Sequence, residues 1–131
     1  MLETYPFTAI VLGLALIVYA FVTLKVVAAR VRFGVKAPAT SGPPAFERRF
    51  RVHENTLEQI VLFVPSLLLF AASWGDAAAA IVGLAWPAGR IYYAVVYVNA
   101  PEARYTGWVV AFASSVILLL GGVIGAVAAA F

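Results

Sequence analysis

Four long apolar runs divide the chain. Residues 6–24 are uncharged and end at Lys25. The second run, 60–74, follows a polar segment without a break. The third starts near Ala77 and passes a single Arg90 toward Asn99, and 105–131 carries no charge at all. A helix needs about 20 apolar residues to cross the hydrocarbon core of a bilayer. The first and last runs meet that alone. The second does so once the polar helix before it is counted, and the third once Arg90 is included. Period-two alternation is absent, so a strand barrel is excluded and helices remain as the way to satisfy the backbone in lipid. The pattern predicts an all-α integral membrane four-helix bundle, one domain over 1–131, with helices at about 6–32, 45–74, 76–99 and 104–131.

Punctuation supports these boundaries. "RFGVKAPATSGPP" (32–44) is the one substantial loop. Pro43 and Pro44 suit the start of the second helix. That helix is longer than the bilayer requires, so its first turns should project beyond the hydrocarbon. Pro65 removes a backbone donor and is expected to kink it. "SWGDA" reads as a tight turn with Asp76 placed to start the third helix, and "VNAPEARYTG" as the turn before the fourth. The small residues of "GGVIGAVAAA" suit close helix packing. The first run lacks a basic leader segment and is long, so it is expected to persist as a mature helix.

Composition agrees. Of 131 residues, 64% are hydrophobic and 11% charged, whereas a soluble domain is nearer half apolar and a quarter charged. All nine Lys and Arg fall at 25–51 and 90–104. In a four-helix topology these lie on one side, and Glu3 and Asp76 on the other. The positive-inside rule places the basic side in the cytoplasm. No aromatic-interleaved basic motif suggests nucleic acid. There is no cysteine, and one histidine with six scattered acids gives no metal-ligand spacing. Any thiol chemistry would need a thiol brought in.

The candidate chemistry lies in "FERRFRVHENTLEQ" (46–59). At ~100° per residue, Arg48, Arg51, Asn55, Glu58 and Gln59 share about one third of the helix circumference, continued by Leu62, while His53 points nearly the opposite way. Ionisable groups in a membrane face a protein interior or a wet cavity. A purely structural reading is available: Glu47–Arg51 has the favourable i,i+4 order, Glu58 would neutralise Arg51, and Glu47, Arg49 and Glu54 would sit on a solvated rim. It explains less well why Asn55, Glu58 and Gln59 descend together. On the third helix Arg90, Tyr93 and Tyr97 share a face, with Arg104 in the turn beyond. Tyr92, Tyr105 and Trp108 read as an interfacial belt. Arg30 and Arg104 each have lipid-phosphate anchoring as an alternative. Guanidinium groups take carboxylates bidentately, Glu58 suits an ammonium, and Asn55 and Gln59 suit peptide groups. A small zwitterionic peptide with two carboxylates and one amine, such as glutathione, fits this set.

The same segment, with "GPPAFER" before it and "RIYYAVVY" in the third helix, resembles the signature of the MAPEG family, membrane-associated proteins of eicosanoid and glutathione metabolism. The resemblance covers nearly the whole chain. It implies homotrimers of four-helix subunits in a membrane, here expected to be a bacterial inner membrane, with glutathione held between neighbouring subunits near the cytoplasmic side. It implies that Arg51, Asn55, Glu58, Tyr93 and Tyr97 contact glutathione from one subunit, and that Arg30, His53 and Arg104 belong to the adjacent one. Arg104 matches the arginine thought to hold the thiolate. Gln59 stands where the leukotriene-forming branch has a tyrosine, and Val31 where it has a second arginine. "RVHENTLEQ" looks closer to the microsomal glutathione transferase branch.

The expected activity is conjugation or reduction of hydrophobic, lipid-borne electrophiles or hydroperoxides, with glutathione as co-substrate, no metal, Arg104 as the catalytic residue, and membrane lipids and the electrophile as partners. Two other classes compete. A non-catalytic, lipid-binding or scaffold member of the same family would keep the stripe as a packing feature. A small proton-coupled exporter needs an acid inside the first helix, and none lies between Glu3 and Lys25.

Overall fold

The computed structural model describes residues 1–131. It is all-helical, with α1 (Pro6–Phe33), α2 (Pro44–Trp74), α3 (Asp76–Gly83), α4 (Ala85–Asn99), a single 3₁₀ turn (Pro101–Ala103) and α5 (Tyr105–Ala130). Four segments are long and apolar enough to cross a membrane: Pro6–Phe33, Pro44–Trp74, Asp76–Asn99 and Pro101–Ala130. The protein is an integral, multi-pass membrane protein.

Local sequence sets the helix ends. Pro6 occupies the first turn of α1, where its missing N–H costs nothing. Gly34 closes that helix in the left-handed region at φ 66°, which glycine enters without a Cβ penalty. The third span, expected as one helix, is interrupted at Leu84. Pro87 is the reason: it cannot donate to the carbonyl of Gly83, so α3 stops there and α4 restarts at Ala85. Pro65 has a milder effect. Helix α2 continues through it, and Ser66 donates its hydroxyl to the Leu62 carbonyl at 2.7 Å.

Helix α2 packs against α1 on one side and α5 on the other, and α4 packs against α5. The core is aromatic and aliphatic. Phe63 and Trp86 stack with centroids 4.7 Å apart, and Leu67, Ala111 and Leu118 close around them. Large apolar side chains such as Ile10, Ile17, Leu24, Leu120 and Ile124 point outward. Lipid solvates those faces, so van der Waals fit and internal hydrogen bonds, more than hydrophobic burial, hold the helices together.

Two further features fix the frame. The small residues of α5 meet α2 as expected: Trp74 donates its indole N–H to the Gly121 carbonyl at 2.8 Å, and Ser73 its hydroxyl to that of Gly122 at 3.4 Å. Asp76 opens α3 and also accepts from the backbone N–H groups of Phe7 and Thr8, at 2.9 and 2.7 Å. It thereby satisfies the free first turn of α1.

Candidate functional site

The polar face of α2 becomes one wall of a groove that runs along α2, α4 and α5. Its central cleft, about 240 Å³, is lined by Arg51, Asn55, Tyr93, Tyr97, Arg104, Tyr105 and Trp108. Toward the loop it joins a wider cleft of about 470 Å³ through the shared Arg51 and Tyr97, with Arg48, Phe50, Glu47 and Glu54 around it. Toward the membrane interior it joins one of about 200 Å³ through Asn55 and Trp108, lined further by Glu58, Gln59, Leu62, Phe112 and Ser115. From Arg48 to Leu62 the groove follows α2 for roughly 21 Å. It is polar at the loop end and largely apolar at the other.

Close backbone contact sets the width of the central cleft. A Cβ added at Gly107 would lie 2.6 Å from the Gly89 carbonyl oxygen and 2.6 Å from the Tyr93 nitrogen. Only glycine at these two positions lets α4 and α5 approach so closely. That approach brings Tyr93 and Tyr97, one above the other with centroids 5.4 Å apart, against Arg104 and Trp108.

Arg104 is held in place. It donates to the Pro101 carbonyl at 2.7 Å and to the Tyr105 hydroxyl at 3.3 Å. Its guanidinium carbon lies 5.3 Å from the centroid of Tyr97 and 4.7 Å from that of Tyr105, within cation–π range. Arg104 therefore shares a cleft with Arg51, Asn55, Tyr93 and Tyr97 of its own chain. The 3₁₀ turn folds it back over α4.

Arg51 is exposed and pairs with Glu54 at 3.2 Å, not with Glu47 or Glu58. Glu47 instead accepts from the Gly42 N–H at 3.0 Å and anchors the loop. Glu58 accepts from the Asn55 side chain at 2.9 Å. An exposed ion pair contributes roughly 0–1 kcal/mol, so Glu54 does little to hold Arg51 against another partner. Arg48 donates to the Val98 carbonyl at 3.2 Å and ties α2 to the end of α4.

Arg90 does not line the central cleft. It is fully buried beneath it, donating to Asn55 Oδ1 at 3.0 Å and to Thr56 Oγ1 at 2.7 Å. Its guanidinium lies 4.2 Å from the Tyr93 ring centroid. Expected to face the cleft, it lies behind Asn55 instead. Gln59 is 6% exposed, and neither atom of its amide has a partner within the chain. His53 and Arg30 lie off the groove. His53 stacks on Tyr19 of α1 at 5.3 Å. Arg30 donates to the Ala39 carbonyl at 2.7 Å and sits over the rings of Phe46 and Phe50.

Sequence reasoning missed three contributors. Tyr105 and Trp108 line the central cleft, although they read as belt residues; the signal was the i,i+4 relation of Arg104 and Trp108. Thr56, the acceptor for Arg90, carried no signal of its own. The assembled site presents two guanidinium groups, an amide, three phenols and an indole to one cleft. It suits an anionic ligand whose polar groups are spread over several ångströms. No group of three or more His, Cys, Asp or Glu is placed to hold a metal.

Known proteins resemble this chain in sequence. A sequence model of the MAPEG family matches residues 8–124. An uncharacterized protein of Synechocystis sp. is 42% identical over 116 residues, covering 88% of this chain and 85% of that one. Leukotriene C4 synthase of Mus musculus is 38% identical over 87 residues, covering 66% of this chain and 58% of that enzyme. Microsomal glutathione S-transferase 2 of Homo sapiens is 31% identical over 106 residues, covering 81% and 72%. Identity thus does not favour the transferase branch over the leukotriene-forming one. A match running through all four spans, with the polar groove built from the motif residues, means that this chain belongs to the MAPEG family.

Proposed function

We propose that the protein is a membrane-bound glutathione transferase with peroxidase capacity. The observation that carries this reading is the convergence of Arg51, Asn55, Tyr93, Tyr97 and Arg104 on one cleft at the basic end of the bundle. Glutathione has two carboxylates, one amine and a thiol. In this reading Arg51 and Arg48 take carboxylate, Glu58 takes the ammonium, Asn55 and Gln59 face the peptide groups, and the phenols of Tyr93 and Tyr97 flank the cysteinyl portion. Arg30 and His53 lie off the groove of their own chain, which suits service to a neighbour in a homotrimer. The basic end faces the cytoplasm of a bacterium.

Arg104 holds the sulfur as an anion. A free thiol titrates near 8.5, and an adjacent guanidinium favours the thiolate. A two-unit depression needs about 2.7 kcal/mol of preferential stabilisation. The proton leaves to water. The thiolate then attacks an electrophilic carbon delivered from the lipid, a C–S bond forms, and the leaving group departs with its electron pair. With a hydroperoxide, sulfur attacks the terminal oxygen and the O–O bond breaks. The alcohol is released, and a second glutathione converts the sulfenic acid to disulfide and water. The protein contributes position and charge stabilisation.

The test is turnover of purified protein with an activated aryl halide and with a fatty-acid hydroperoxide. A rate that saturates in glutathione with either substrate is expected. Absence of glutathione-dependent turnover with both would overturn the enzymatic reading.

A further inference from the structure

Helix α2 carries three arginines in its first turns, and they serve two different faces. Arg48 and Arg51 border the groove described above. Arg49 faces a separate groove between α1, α2 and α4, of about 290 Å³, with Lys25 and Asn99 at its rim and Phe21, Val22, Val52 and Val95 among its walls.

Three observations point to its occupant. The first is charge. Neither Lys25 nor Arg49 has a carboxylate within ion-pair distance, and the chain's one ion pair is Arg51–Glu54. Arg49 spends one N–H on the Ala45 carbonyl at 2.7 Å and keeps its other donors. The second is depth. At 1.5 Å per residue Lys25 lies about 28 Å along α1 from Pro6, close to the roughly 30 Å of a hydrocarbon core, so the two cations sit at headgroup level. The third is the wall. Phe21 and Val95 are 44% and 54% exposed and line the groove below the cations, on the hydrocarbon side. The Lys25 ammonium lies 5.1 Å from the centre of the Phe21 ring, which turns it toward that wall.

We propose that this groove binds one anionic phospholipid, its phosphate held between Lys25 and Arg49 and an acyl chain laid along Phe21, Val22 and Val95. A zwitterionic lipid also carries a phosphate, but its ammonium would meet two unneutralised cations. The site is built from a different face of α2 than the thiol groove, and it depends on membrane insertion alone.

The test is native mass spectrometry of the detergent-solubilised protein after equilibration with mixed micelles of phosphatidylglycerol and phosphatidylcholine in equal amounts. Retention of phosphatidylglycerol is expected, falling about 30-fold in Lys25→Gln/Arg49→Gln if each cation contributes the usual headgroup attraction. Arg32→Gln/Lys36→Gln, in the last turn of α1 and the loop that follows, lies outside the groove and should retain it. Val95→Trp fills the groove with both cations intact and should lose it, which decides the matter if the double variant does not fold. Equal retention in Lys25→Gln/Arg49→Gln, equal loss in the loop variant, equal retention of phosphatidylcholine, or displacement by inorganic phosphate would each overturn the proposal.

Discussion

Arg90 has no exposed surface and donates to Asn55 Oδ1 at 3.0 Å. Asn55 in turn donates to Glu58 at 2.9 Å. One buried guanidinium thus orients an amide and, through it, a carboxylate at the junction of the polar and apolar parts of the groove. The desolvation cost of such a charge in a membrane is offset in part by Asn55, Thr56 and the face of Tyr93, while its Nε has no partner within the chain.

From this chain follows the first expectation. Arg90→Met should remain folded, since exchange of a buried charge for an apolar side chain of similar length is tolerated. Glutathione affinity should fall about tenfold, the worth of one hydrogen bond to a charged group. Arg90→Lys should not restore it, because a single ammonium cannot span Asn55 and Thr56 as the guanidinium fork does. Calorimetric titration of the three proteins checks this. Unchanged affinity in Arg90→Met would show that Asn55 needs no support.

Arg104→Ala separates binding from activation. Glutathione affinity should change by only a few-fold, because Arg51 and Arg48 remain for the carboxylates. The pH profile should move. A cation beside the sulfur lowers the thiol pKa, so wild-type turnover should fall only below about pH 6.5, whereas the variant should follow the free thiol and fall below about pH 8.5. At pH 7 the thiolate fraction would fall from about 0.76 to about 0.03, a loss of about 25-fold. A variant profile that overlays the wild type would remove Arg104 from this role.

The α4–α5 contact makes a prediction of a different kind. A methyl at Gly107 would meet the backbone of Gly89 and Tyr93, and rigid backbone cannot yield as a flexible side chain does. Gly107→Ala should cost about 1–3 kcal/mol and should also weaken glutathione binding by shifting Tyr93 and Tyr97 from Arg104. Thermal melting and titration read the two effects. Gly13→Ala, in the interior of α1 where nothing lies within 4 Å, is the control: it should leave binding unchanged and should not lower the melting temperature.

At the far end of the bundle, Asp76→Ala removes the acceptor for Phe7 and Thr8. A lost cap costs roughly 0.5–2 kcal/mol. Melting temperature should fall while turnover at lower temperature stays at the wild-type level, because the site lies at the opposite end. Loss of turnover in a folded variant would contradict that separation.

Much of this was legible along the chain. Apolar length defined the four spans, and helical periodicity put Arg48, Arg51, Asn55, Glu58 and Gln59 on one face, all of which border the groove. The rest depends on contacts between helices, which periodicity does not encode. Nothing in the stripe of Arg90, Tyr93 and Tyr97 says that the first is buried while the others face the cleft; the height of α4 against α2 decides that. The approach at Gly89 and Gly107 was invisible because neither glycine belongs to a repeated motif. Arg51 pairs with Glu54 and not Glu47 because the loop claims Glu47 through Gly42. The break at Leu84, by contrast, was written in Pro87.

The central claim is that the α2–α4–α5 groove binds glutathione and ionises it. Calorimetric titration of the detergent-solubilised protein with glutathione, with ultraviolet absorbance following thiolate, tests it most directly. Saturable binding accompanied by a thiolate signal at neutral pH is the predicted result. No binding at millimolar glutathione would contradict it and leave the polar stripe as a packing feature or a lipid contact.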